Sequence, residues 1–210
     1  MNSRVILVSD DRSSLRSPDT LLWPDAACMR GIHTGEWTAH IFEYAMSFEG
    51  NMTQVRELAA ANGVGVLHPH GALATDPPGL IVCDVDSTVT RTEAIDLLAE
   101  CAGKADEVRE ITARAMVGEL DFTQSLYARV RCLEGLHIGA LEEAWKATVI
   151  TPGTAELVAA AHDVGAAVGL VSGGFTAIVD PLAEQIRADF AASNELEIVD
   201  NHLTGRVVGD

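Results

Sequence analysis

The chain has 210 residues, room for one large domain or two small ones at about 100–200 residues each. Hydrophobic residues make up 48% and charged residues 21%, a globular composition that excludes a disordered or low-complexity protein. Acidic residues number 31 against 14 basic ones, a formal charge of -17, so the surface repels phosphate backbones and nucleic acid is not an expected partner.

A small anionic substrate would be repelled as well, unless its site carries a local cation from an arginine or a metal. Lys104 and Lys146 are the only lysines, so arginine carries nearly all the basic charge. The N-terminus, MNSRVILVSDD, has too short an apolar run for a signal peptide. The nearly uncharged stretch 164–179 is broken by glycines and falls short of the roughly 18 apolar residues of a membrane span. The expectation is a soluble, cytoplasmic protein without a membrane partner. Cys28, Cys83, Cys101 and Cys132 show no metal-ligand spacing and read as free thiols, mostly small core residues.

In chain order, Val5-Ile6-Leu7-Val8 within residues 4–9 reads as a buried strand, followed by a polar stretch over 10–20. Phe42, Tyr44, Met46 and Phe48 alternate with Glu43, Ala45 and Ser47, the period of two of a half-buried strand. Asn51 or Thr53 can cap a helix running to about Asn62, which Gly63 ends, and residues 64–67 form another strand. Residues 1–76 are thus expected to be a small α+β domain of strand, strand, helix and strand. Residues 68–79, HPHGALATDPPG, read as a linker, in which His68 and His70 are solvated loop residues rather than a metal pair.

From residue 77 the pattern changes to strands alternating with helices. Residues 80–85 are a continuous apolar run, expected to be a strand buried on both faces. Helical patterns cover 93–102, 105–117, 122–133 and 140–148, with Asp121 as N-cap of the third. Pro152 opens a helix to about Val164, residues 166–171 form a second buried strand, and 176–188 are helical. Residues 191–208 read as short strands with a turn at Asp200-Asn201. This order predicts a parallel sheet with crossover helices. The helices between its first two strands exceed one crossover and predict a separate cap over about 93–148.

The strongest chemical signal is Asp84-Val85-Asp86-Ser87-Thr88, directly after the first sheet strand. In an extended chain residues i and i+2 point the same way, so Asp84 and Asp86 project together from the carboxyl end of the strand, where open parallel sheets bind ligands. Two close carboxylates call for a cation between them or a shared proton, and Mg2+ suits such oxygen ligands. The second signal, Val171-Ser172-Gly173-Gly174-Phe175, offers a hydroxyl and backbone N–H groups to an anion at an expected helix start.

Together, DVDST, Glu93, AMVGELDFTQSLYARV, LEGL, TPG, VSGGF and NELEIVDNHLTGRVVGD resemble the phosphoserine phosphatases of the haloacid dehalogenase (HAD) superfamily, over residues 79–210. The resemblance implies a HAD-like Rossmannoid parallel sheet with a helical cap inserted after the first core strand. It implies Mg2+-dependent hydrolysis of O-phospho-L-serine, the last step of serine biosynthesis. Asp84 is then the nucleophile and Asp86 the general acid and base, with Mg2+ on the Asp84 carboxylate and the Asp86 backbone carbonyl. Glu93 faces the substrate ammonium and Arg129 its carboxylate, Met116 and Phe122 line the cap side, and Ser172 and Gly173 bind the phosphoryl group.

The family pattern continues with a lysine and a further aspartate cluster that have no counterpart here, and Tyr127 stands where the family often has a second arginine. The missing strand would pair beside DVDST, leaving residues 80–85 an apolar edge open to a homodimer. The expectation for this chain alone is little or no turnover. Two alternatives stay open: another small-molecule phosphatase or phosphotransferase on the same fold, and a non-catalytic amino-acid-binding protein with residues 1–76 as an ACT-like regulatory module.

Overall fold

An antiparallel sheet and a parallel one occupy different parts of the chain, which divides into two units, Met1–Pro77 and Pro78–Asp210. The structure, a computed structural model, describes residues 3–9, 27–33, 38–44, 52–69 and 71–208.

In the first unit, β1 (Ser3–Ser9), β2 (Ala27–His33), β3 (Thr38–Tyr44) and β4 (Gly65–Leu67) form one antiparallel sheet in the order β2-β3-β1-β4. The apolar run of β1 pairs along its length with β3, Ser3 opposite Tyr44 and Ser9 opposite Thr38. Strand β2 was not expected. Its sequence ACMRGIH does not alternate, and its pairing with β3 shifts register between Cys28 and Arg30. Helix α1 (Met52–Ala61) ends as predicted at Gly63, whose φ of 67° lets the Val64 N–H reach back to the Ala59 carbonyl at 2.9 Å. The linker holds a short 3-10 turn, Gly71–Ala74. Met46, Phe48, Asn51, His70 and the polar stretch 10–20 lie outside the described residues.

In the second unit, β5 (Leu80–Cys83), β6 (Ala167–Phe175) and β7 (Phe190–Asn194) form a parallel sheet in that order. Four helices fill the interval after β5: α2 (Ala94–Cys101), α3 (Ala105–Met116), α4 (Phe122–Arg131) and α5 (Gly139–Ala147). Helix α6 (Thr154–Asp163) leads back to β6, and α7 (Thr176–Ile186) joins β6 to β7. The hairpin of β8 (Leu196–Val199) and β9 (His202–Val207) turns at Asp200 and Asn201, whose φ values of 49° and 61° are both positive, as a two-residue type I′ turn demands.

Two cores hold this unit. Ile81, Cys83, Val168 and Leu170 of the sheet pack under Val158 and Ala161 of α6 and Val179, Leu182 and Ile186 of α7. The cap core of Leu98, Val108, Val130 and Leu133 closes on Phe175, Ile178, Leu196 and Leu203, so the cap is anchored on α7 and the hairpin. The chain leaves the sheet and returns to it at neighbouring points. Thr90 bridges to Ile150, the Arg91 N–H donates to the Val149 carbonyl at 2.7 Å, and the Thr151 N–H donates to the Val89 carbonyl at 2.9 Å.

Two expectations need correction. Strand β5 lies at the sheet edge, as expected, but it is not buried on both faces: Leu80 is 53% and Val82 52% exposed. Both α6 and α7 cover the opposite face, so the apolar run reflects one buried face and one open one. Of the cysteines, Cys83 and Cys132 are half-buried at the cores, while Cys101 is exposed.

Asp189 ties three elements. Its Oδ2 accepts the Val168 N–H at 2.7 Å and contacts His162 Nε2 at 3.0 Å. The Val168 N–H first, and His162 second, hold its carboxyl below the usual range. A lowered folded value adds stability above the unfolded value near 3.9, lost as pH falls through the folded one. In denaturant titrations between about pH 6 and pH 2, Asp189→Asn should therefore lower stability at the neutral end and flatten its fall at the acid end. Parallel curves for the two proteins would contradict this.

Candidate active site

The carboxyl end of β5 opens into a wide turn, Val85–Val89, closed by the Thr90 N–H on the Val85 carbonyl at 2.9 Å. Asp84 (φ -69°, ψ 157°) and Asp86 (φ -64°, ψ 130°) are both extended. Val85 between them is 1% exposed in the sheet core, and both aspartates line a cavity of about 250 Å³. The i, i+2 expectation holds. Ser87 then adopts a left-handed conformation, φ 56° and ψ 14°, which reverses the chain.

Each carboxylate at this cavity has a neutral donor. Thr88 Oγ1 donates to Asp84 Oδ2 at 3.1 Å. Asp86 Oδ1 accepts the N–H of Ala94, the first residue of α2, at 2.8 Å, a helix start that favours negative charge. Asp86 Oδ2 accepts Ser172 Oγ at 3.0 Å, and Ser87 Oγ donates to Glu93 Oε1 at 2.7 Å. Glu93 precedes α2 without capping it, which leaves its side chain to line the cavity.

The Ser-Gly-Gly segment is not at a helix start. It lies in the irregular end of β6, where the register with β7 shifts between Val171 and Phe175, and α7 begins only at Thr176. The Gly174 N–H donates to Ser172 Oγ at 2.8 Å, so the hydroxyl hydrogen is free to reach Asp86. A Cβ on Gly174 would stand 2.7 Å from Asp86 Oδ2, and one on Gly173 2.9 Å from the Phe122 ring. Only glycine allows this approach of backbone to carboxylate and ring. Asn194 Nδ2 donates to the Gly173 carbonyl at 2.9 Å and holds that peptide in place.

From the cap, Phe122, Leu126 and Arg129 line the cavity on one face of α4, the i, i+4, i+7 spacing of a helix. Asp121 caps the start of that helix as expected, and Gln124 completes a capping box with it. On the cap surface Lys104 pairs with Glu107, Arg109 with Asp106, Arg114 with Glu119 and Lys146 with Glu142, while Arg131, like Arg129, forms no ion pair among the described residues. Among those residues the Arg129 Nε donates only to the Ser125 carbonyl of its own helix at 3.3 Å.

Met116 does not join the site. It ends α3, 83% exposed, away from the cavity lining. Gly174 and Phe175 of the glycine segment also line the cavity, as do Ile95 and Leu126, which sequence reasoning missed because apolar side chains carry no chemical signal of their own. The side chains of Ser87, Thr88 and Asn194, which bond to site groups, were missed as well. For a metal, the Asp84 carboxylate and the Asp86 carbonyl are hard oxygen donors of the kind Mg2+ takes while keeping several waters. Among the described residues no group of three or more His, Cys, Asp or Glu is placed to hold a metal ion.

The profile of the haloacid dehalogenase-like hydrolases matches residues 81–210. The chain belongs to this family. A phosphoserine phosphatase of Streptomyces coelicolor is 48% identical over 152 residues, which are 72% of this chain and 37% of that protein. The crystal structure of a probable phosphoserine phosphatase from Vibrio cholerae, in unliganded form, is similar with a TM-score of 0.74 at 34% identity, over 99% of this chain and 63% of that one. A phospho-aspartyl intermediate analogue of phosphoserine phosphatase is similar with a TM-score of 0.59 at 40% identity, over 63% of each chain. The chain thus spans 37% to 63% of the length of these relatives. No described helix of this haloacid dehalogenase-like hydrolase is long and apolar enough to cross a membrane.

The contact of Asn194 with the glycine turn yields a direct test. Asn194 Nδ2 also donates to the Gly174 carbonyl at 3.4 Å, and Asn194→Ala, which loses both bonds, should lower unfolding stability in denaturant titration by about 1 kcal/mol. Unchanged stability would show that the turn holds its shape without Asn194.

Proposed function

We propose that this site hydrolyses O-phospho-L-serine to L-serine and phosphate, the step that ends serine biosynthesis, through a phosphorylated Asp84. One observation carries the reading. A single cavity joins the Asp84–Asp86 pair and the glycine turn to Glu93 and the unpaired Arg129. A phosphate monoester that also bears an ammonium and a carboxylate matches those four features together. The similarity to proteins named phosphoserine phosphatase supports the same reading.

Mg2+, held by the Asp84 carboxylate and the Asp86 backbone carbonyl, would neutralise charge on the phosphoryl oxygens. Ser172 and the backbone of Gly173 bind that group beside it. Arg129 grips the substrate carboxylate, which planar guanidinium does with two parallel hydrogen bonds, and Glu93 faces the ammonium. The oxygen of Asp84 not held by Thr88 attacks phosphorus, and the bond from phosphorus to the seryl oxygen breaks. Asp86 gives its proton to that oxygen, and serine leaves. Asp86, now a carboxylate, takes a proton from water as the water oxygen attacks the phosphoryl group, which frees phosphate and restores Asp84.

Lys104 and Lys146 sit in the cap, paired to glutamates, and do not line the cavity. The discriminating test therefore targets the covalent half-reaction. Beryllium fluoride with Mg2+, which mimics an aspartyl phosphate, should raise the melting temperature of the chain, and Asp84→Asn should abolish the rise. Any phosphate released from O-phospho-L-serine should fall to background in the same variant. Stabilisation or release that survives Asp84→Asn overturns the proposal.

A further inference from the structure

Ser87 owes its place to the turn rather than to packing. It is exposed, and its φ of 56° is a conformation side chains other than glycine, asparagine and aspartate seldom adopt. That conformation sends its hydroxyl to Glu93, where Oγ donates to Oε1 at 2.7 Å. Asp84 is held by Thr88, and Asp86 by Ala94 and Ser172. For the Glu93 carboxylate, Ser87 is the one hydrogen-bond donor found among the described residues. Glu93 caps no helix N–H and shares a small cavity with two other carboxylates, whose like charge pushes it towards solvent. A neutral donor on Oε1 resists that push and holds the carboxylate at the cavity wall.

We propose that Ser87 is a positioning residue: by fixing the Glu93 carboxylate it sets the preference of this site for phosphate monoesters that carry an ammonium group. The inference rests on the phosphoserine reading and adds to it the residue that enforces amine selectivity. It also couples selectivity to chemistry, since the turn that aims Glu93 is the one that presents Asp84 and Asp86.

The test compares two ligands by isothermal titration with Mg2+ present: O-phospho-L-serine, and 3-phosphooxypropanoate, the same molecule without its amine. The unaltered chain should favour the amine-bearing ligand. Ser87→Ala should cut that preference about tenfold, the size expected for a hydrogen bond to a charged group, while affinity for the amine-free ligand stays within about twofold. Ser87→Gly should do the same, and because glycine suits the left-handed turn, its loss of preference cannot come from a misfolded loop. A preference retained in both variants overturns the inference, as does an equal loss of affinity for both ligands, which is the mark of a merely structural residue. If the unaltered chain binds neither ligand, or binds both equally, the phosphoserine reading falls and this inference with it.

Discussion

Three carboxylates, Asp84, Asp86 and Glu93, share one small cavity in a chain whose formal charge is already -17. Like charges gathered at one cavity repel, and the local architecture answers that repulsion with neutral hydrogen-bond donors. The donors come from separate parts of the fold: Ser87 and Thr88 from the turn after β5, Ala94 from the start of α2, and Ser172 from the end of β6. The site is therefore intact only while strand, turn, helix and neighbouring strand keep their relative positions. Arg129 brings the single cationic side chain of the cavity lining, and it arrives from the cap.

Much of this was legible in the sequence where one local rule governs the outcome. Asp84 and Asp86 flank a buried Val85, so two-residue periodicity alone placed them together. Asp121 as N-cap, Gly63, and the Asp200-Asn201 turn each obey short-range backbone chemistry and were found where expected. The elements that escaped depend on distant partners. Strand β2 shows no alternation because its register shift breaks the period. The apolar run of β5 indicates a strand but cannot say that one of its faces stays half-exposed while the other meets the helices. Phe122 was legible through the family motif, whereas Asn194 and Ser87 hold site groups by hydrogen bonds that no spacing in the chain announces.

The sheet register explains how one strand end serves two purposes. Val82 pairs with Gly169 and Gly169 with Phe190, so these positions share the open face with the half-exposed Leu80 and Val171. Cys83, Leu170 and Ala191 point instead into the helices. Apolar surface on both sides of a parallel sheet is usual, because such sheets are normally covered on both faces. Here α6 and α7 share one side, and the core under the base of the aspartate turn packs against them there.

The clasp between residues 88–92 and 149–151 has a different consequence. The Val149 N–H donates to Thr92 Oγ1 at 3.3 Å across a separation of 57 residues, and Thr151 Oγ1 donates to the Thr88 carbonyl at 2.8 Å. Every cap helix lies inside a loop whose ends are fastened to each other. The entropy of closing a loop grows only with the logarithm of its length, about 0.6 kcal/mol per doubling. The sheet is thus nearly indifferent to how long the inserted segment is, provided its two ends meet. An ancestral chain could lengthen, shorten or replace the insertion without disturbing the aspartate turn. The cavity residues supplied from within the loop, Phe122, Leu126 and Arg129, could change while Asp84, Asp86, Gly173 and Gly174 outside it stayed fixed.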